Sequence, residues 1–155
     1  MRLAESLRVK LVGWAERVMQ RQPDFVVSND TGVYLQRWFV VPRNPLFNVY
    51  LHRFLGSDDD RALHDHPWAS LSVFLSGWYL EFTSSGVRRR VAGDLVLRGP
   101  WTAHRIALPL GAPAVTLFLT GPRVRTWGFH CPQGWRPWRD FVRPGAHGER
   151  GRGCE

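Results

Sequence analysis

Two hydrophobic rhythms divide the chain. Over residues 2–20, Leu3, Leu7, Leu11, Trp14, Ala15 and Val18 recur at spacings of three and four, with Arg2, Glu5, Arg8, Arg17 and Arg21 largely on the other side. That period predicts an amphipathic helix. Acidic residues interrupt its polar face, so packing against the domain or a partner subunit is preferred over lying on a membrane surface. Gln22-Pro23-Asp24 ends the pattern.

From about residue 32 the rhythm shortens to runs rich in Val, Phe, Tyr, Trp and Leu. They are separated by Pro42-Arg43-Asn44-Pro45, Ser57-Asp58-Asp59-Asp60 and Ser84-Ser85-Gly86. Strands are predicted near 33–41, 46–55, 63–67, 70–82, 87–91, 94–98, 103–109, 113–120 and 124–129. Short strands without helices between them predict an all-β sandwich or barrel. Apolar density falls after Trp138, and the Gly/Arg-rich end reads as a tail. The expected organisation is a helix over 1–22, a β domain over 30–142 and a flexible tail over 143–155.

The chain has 155 residues, 44% of them hydrophobic and 13% aromatic, enough for one folded core and short for two. A formal net charge of +8 and a pI of about 10.9 raise nucleic acid as a partner. The arginines are scattered, however, and the single run, Arg88-Arg89-Arg90, falls in a predicted hairpin arm. A solvated strand is therefore preferred to a nucleic-acid patch. Cys131 and Cys154 are the only cysteines, so a disulfide framework is not expected and Cys131 reads as a buried or idle thiol. Charges at Arg8, Lys10, Glu16 and Arg17 break any apolar run of signal-peptide length, and no later stretch is long enough to span a bilayer. The expectation is a cytoplasmic protein with no membrane partner.

The chemistry concentrates in Arg61-Ala62-Leu63-His64-Asp65-His66-Pro67-Trp68. Alternation along a strand turns His64 and His66 to one side and Asp65 to the other. His104 follows on a later predicted strand, and three imidazoles suggest a metal site. His52 on the preceding strand is a candidate fourth ligand, donor or base, weighed against an ordinary half-buried histidine. Arg53 or Arg105 could pair a substrate carboxylate through a bidentate fork. Alternation forbids His52 and Arg53 one face, and for Arg53 a surface ion pair to Asp58-Asp59-Asp60 is preferred. Trp68 and Trp101 could wall a pocket or simply pack the core. Trp127, Trp135 and Trp138 are expected to clamp the last strand or form a dimer contact rather than stack a sugar.

Residues 46–120 resemble the cupin superfamily of small double-stranded β-helix, or jelly-roll, proteins. The first cupin motif, Gly-x5-His-x-His-x3,4-Glu-x6-Gly, is matched by His64, His66, Ser70 and Gly77. The second, Gly-x5-Pro-x-Gly-x2-His-x3-Asn, is framed by Gly93 and His104, with Gly99 and Trp101 where its Pro and Gly would stand. Ser70 replaces the usual carboxylate ligand and Leu108 the asparagine. The resemblance therefore implies a jelly-roll barrel behind an N-terminal amphipathic helix, with His64, His66 and His104 as a facial three-histidine centre. The thiol dioxygenase branch of cupins has the same set, and His64-Asp65-His66 and His104-Arg105 echo its motifs. Pro67-Trp68 and Trp127-Gly128-Phe129 with Gly134-Trp135 are similar to an uncharacterised group of bacterial and phage cupin-like proteins.

Three neutral imidazoles suit divalent iron, zinc, nickel or copper, and leave positions open to substrate and oxygen. Without a carboxylate the ion keeps its double charge, which draws an anionic chelating substrate such as a thiolate, carboxylate, enolate or catecholate. The function implied is that of a metal-dependent, iron-preferring dioxygenase. The alternative is a non-catalytic cupin whose histidines hold zinc or nothing. A third reading is a metal-free sugar-nucleotide epimerase, which needs a histidine and tyrosine pair such as His64 and Tyr79. Cupins often dimerise through their sheets, so a homodimer is a family expectation.

Overall fold

The computed structural model describes residues 1–29, 32–58, 61–109, 111–142 and 151–155. The helical rhythm forms α1 (Glu5–Val18), and the short runs form β1 (Phe25–Asn29), β2 (Gly32–Phe39), β3 (Asn48–Phe54), β4 (Leu63–His64), β5 (Ser70–Ser76) and β6 (Trp78–Thr83). They continue as β7 (Gly86–Val91), β8 (Leu95–Arg98), β9 (His104–Ala107), β10 (Ala114–Thr120), β11 (Gly128–Cys131) and β12 (Gly134–Pro137), before a short α2 (Trp138–Phe141). One sheet has the order β1-β2-β3-β10-β5-β8 and the other β12-β11-β4-β9-β6-β7, every pairing antiparallel.

Leu35, Phe54, Phe74 and Val96 of the first sheet meet Tyr79 and Ile106 of the second, so an apolar core lies between the sheets. The outer face of the first sheet buries Trp38, Leu51, Val73, Leu75 and Val115 under Leu3, Leu11, Trp14, Ala15 and Val18 of the helical segment. The amphipathic stripe is thus satisfied within the chain, although Leu7, counted in it, is 47% exposed. Arg2 and Leu3 also bridge to the Gly93-Asp94 turn, through Leu3 N to Gly93 O at 2.8 Å.

Several predicted boundaries move for local reasons. The strand predicted over 70–82 is two strands, broken at Gly77, whose φ is 72°. A Cβ there would stand 2.2 Å from the Pro113 carbonyl oxygen, so only glycine makes this corner. Gly93, the glycine framing the second motif, also has positive φ, at 91°. β1, β12 and α2 were not predicted, and the strand expected over 124–129 begins only at Gly128.

The cysteine reading is overturned. Cys131 Sγ and Cys154 Sγ form a disulfide. Gly153 N donates to Phe141 O at 3.0 Å and Arg61 Nη1 to Gly151 O at 3.0 Å, so residues 151–155 dock beside β11 and α2. The expected reducing cytosol drew on unpaired cysteines, whereas a disulfide persists in oxidising surroundings. Residues 143–150 of the predicted flexible tail lie outside the described residues. No helix among the described residues is long and apolar enough to cross a membrane.

Candidate metal centre

β4 and β9 pair at His64 and His104, which sets these two imidazoles side by side on the barrel interior. His66 lies two residues on and, by alternation, on the same side. One nitrogen from each of the three lies within 4.8 Å of the others, and His66 Nε2 stands 3.0 Å from His104 Nε2. Two imidazole nitrogens bound at about 2.1 Å to one ion, at right angles, would themselves be about 3 Å apart. The donor set and its spacing fit a divalent ion held on one side.

The far sides of the rings fit it too. His104 Nδ1 is 3.0 Å from Glu81 Oε1, though off the line an aligned hydrogen bond needs, and His64 Nδ1 is 3.7 Å from Asp58 Oδ2. A carboxylate behind Nδ1 holds the proton there and leaves Nε2 as a lone pair. Burial, and then the neighbouring positive groups, hold the His64 and His66 imidazoles well below their ordinary pKa. Burial lowers His104 as well, with Glu81 pulling the other way. All three are neutral near pH 7, the form in which imidazole binds a metal.

Glu81 carries the local electrostatics. Its Oε1 accepts from Arg98 Nε at 2.7 Å and from Arg98 Nη2, and Oε2 accepts from Arg90 Nε at 2.6 Å. Arg98 Nη1 continues to Ser72 Oγ at 2.8 Å. Burial by itself would raise the Glu81 pKa, but His104 and Arg98 outweigh it and hold the carboxylate ionised. Glu81 was not among the predicted site residues. Alternation along β6 carried the signal, since Tyr79 and Glu81 share the inward face.

Asp65 points away, as alternation requires, and is fully buried. Its Oδ1 accepts from Gly128 N at 2.9 Å, and its Oδ2 lies 2.9 Å from Trp135 Nε1, 3.0 Å from His130 Nε2 and 2.8 Å from Arg125 Nη1. It anchors the last hairpin and is not a ligand. Trp135 belongs to this outer cluster through Asp65, whereas Trp127 and Trp138, stacked at 5.7 Å, lie with Phe129 on the opposite face of β11, where the Trp127 ring stands 6.4 Å from that of His64.

His52 faces inward but is not a ligand. Its Nε2 accepts from Arg37 Nε at 2.8 Å, and Phe118 packs between it and His66, with ring centroids 5.0 and 6.0 Å away. Burial, then the Arg37 charge, keeps this imidazole neutral. The inward guanidinium is thus Arg37. Arg53 falls on the opposite face of β3, the side of Leu51, and Arg105 lies 3.8 Å over the Phe82 ring on the outer face of the second sheet. Neither is placed to reach a ligand on the histidines. Trp68 is half-buried beside His66, whereas Trp101 is 69% exposed and walls an outer groove instead. Tyr79 is locked between Phe54 and Phe74 in the apolar core, and burial raises its phenol pKa, which makes it a poor proton donor. Asp59 and Asp60 of the acidic run lie outside the described residues.

A cupin-like protein from Thermotoga maritima has a similar structure, at 12% identity over 70% of this chain and 85% of its own, with a TM-score of 0.54. The fold is that of the cupins. HppE in its iron(II) form matches 65% of this chain at 15% identity and a TM-score of 0.54, and this chain spans 57% of HppE. The polyketide cyclase RemF from Streptomyces resistomycificus matches 68% of this chain and 76% of its own, at 13% identity and a TM-score of 0.51. No protein-family model and no curated protein matches the sequence.

Proposed function

We propose that this cupin is a metal-dependent enzyme, an iron dioxygenase, acting on a small anionic chelating substrate at His64, His66 and His104. The observation that carries the proposal is the convergence of three neutral imidazole nitrogens within 4.8 Å, His104 buried and His64 and His66 half-buried, two of them backed by carboxylates. A divalent iron bound there supplies Lewis acidity and access to oxygen chemistry. The protein's own residues do the rest. Glu81 and Asp58 set negative charge behind the His104 and His64 rings, and Arg90 and Arg98 keep Glu81 ionised. Arg37 presents a guanidinium on the inner face for a substrate carboxylate, and Arg98 adds positive charge nearby. His52 positions Arg37 by accepting its Nε proton. Phe118, Phe54 and Tyr50 limit water on that wall.

The same donor set suits zinc, which supports a second reading as a non-catalytic binding cupin. Elemental analysis of the purified protein beside its His64→Ala variant separates these. About one equivalent of iron, lost in the variant, together with oxygen uptake on thiols, catechols or keto acids, is the expected result. One equivalent of zinc with no oxygen uptake favours the binding role. No metal in either protein after incubation with iron and zinc would remove the proposal.

A further inference from the structure

In the Arg88-Arg89-Arg90 run, Arg88 and Arg89 are exposed and Arg90 is half-buried. Arg89 lies 4.0 Å over the Trp78 ring, while Arg88 and Arg90 turn with Glu81 and Tyr79 in the β6–β7 register. Both line a groove of about 450 Å³ beside the metal centre, walled by Thr83, Ser84, Ser85, Thr102 and the open face of Trp101. Leu63 and Ala103 form its floor, each one residue before a centre histidine.

The groove is positive. Glu81 holds a single negative charge against both Arg90 and Arg98, and exposed Arg88 makes no ion pair with any described acid. An arginine fork matches phosphate oxygens, and the hydroxyls of Ser84 and Thr102 add neutral donors, those of Thr83 and Ser85 being bonded to each other and Thr83 Oγ1 to Gly86 O. The Trp101 indole has Arg125 5.5 Å over one face and offers the other to a flat ring. The volume lies within the range of small-molecule sites and is far too short for a nucleic-acid strand.

We infer that this groove is a second binding site, taking a ring-bearing organic phosphate of mononucleotide size, with the phosphate on Arg88 and Arg90 and the ring on Trp101. It is separate from the histidine centre and does not rest on the metal reading. Arg90, fixed by its 2.6 Å bond to Glu81, supplies a rigid donor, and Arg88 supplies the uncompensated charge.

The test is isothermal titration of the full chain with adenosine monophosphate, adenosine and inorganic phosphate. Adenosine monophosphate should bind at one site, weaken about tenfold in Arg88→Ser, and weaken as sodium chloride rises. Trp101→Leu should weaken the monophosphate and leave inorganic phosphate unchanged. His64→Ala should alter none of these, which keeps a failure of the metal centre distinct from a failure of the groove. Arg88 and Trp101 are exposed, so both variants should melt with the parent. Equal binding of adenosine and its monophosphate, binding that survives Arg88→Ser, or no binding at millimolar concentration would each overturn the proposal.

Discussion

Asp65 and Glu81 are two carboxylates with almost no exposure, each surrounded by donors, and they do opposite work. The partners of Asp65 come from Arg125, Gly128, His130 and Trp135, all far along the chain. The partners of Glu81 come from barrel strands, Arg90, Arg98 and His104. One carboxylate closes the fold over the outer face of the His64-Asp65-His66 segment, and the other sets the charge on its inner face. Identical chemistry, a buried carboxylate satisfied by cations and N–H donors, thus separates into support and site by the face it occupies.

Asp65→Ala should break this division most severely. It strands a buried backbone N–H, an indole N–H and a guanidinium, so denaturant unfolding should show a loss of about 3–5 kcal/mol. A loss below about 1 kcal/mol would mean the last hairpin holds without it. The same region is tied by the disulfide, which closes a loop across a sequence separation of 23. Cys154→Ser should cost about 3 kcal/mol, read from the same unfolding curve, with the histidine centre still able to take up metal.

Glu81→Gln tests the other carboxylate with little change in shape. Metal affinity, measured by competition with a chromophoric chelator, should fall about 10–100-fold, while stability falls less than in Asp65→Ala. Equal stability losses and unchanged metal affinity would erase the contrast between the two.

The pH profile probes the inner-face groups together. His52, His64, His66 and His104 have folded pKa values below 6.5, so the unfolded chain takes up protons first as pH drops. Stability should therefore be full above about pH 6.5 and fall below it, by at most about 1.4 kcal/mol per pH unit for each such group. The depressed Glu81 pKa acts in the same direction lower down, its contribution present above about pH 4.5 and lost as pH falls further. Melting curves between pH 8 and pH 4 check both, and a flat profile would show that these imidazoles titrate in the fold as they do in the unfolded chain.

How far the sequence could be read follows from the range of its signals. Period-2 runs and turn residues predicted the all-β body, and the 3.6-residue stripe predicted the helix, because both patterns repeat locally. Alternation alone turned His64 and His66 together and sent Asp65 away, and the glycines framing both motifs proved to be positive-φ corners. What local pattern does not contain is which distant strand becomes a neighbour. Glu81 lies on β6, Arg98 on β8 and Arg37 on β2, and only the pairing of the sheets brought them into the interior while turning Arg53 and Arg105 out. Cys131 and Cys154 looked unpaired for the same reason, since the packing of residues 151–155 beside β11 brings them together. The sequence by itself determined the strands, the helix and the three imidazoles that share a face. The tertiary structure decided which charges stand behind them, because contacts between distant segments are set by sheet order and register, which no short-range periodicity encodes.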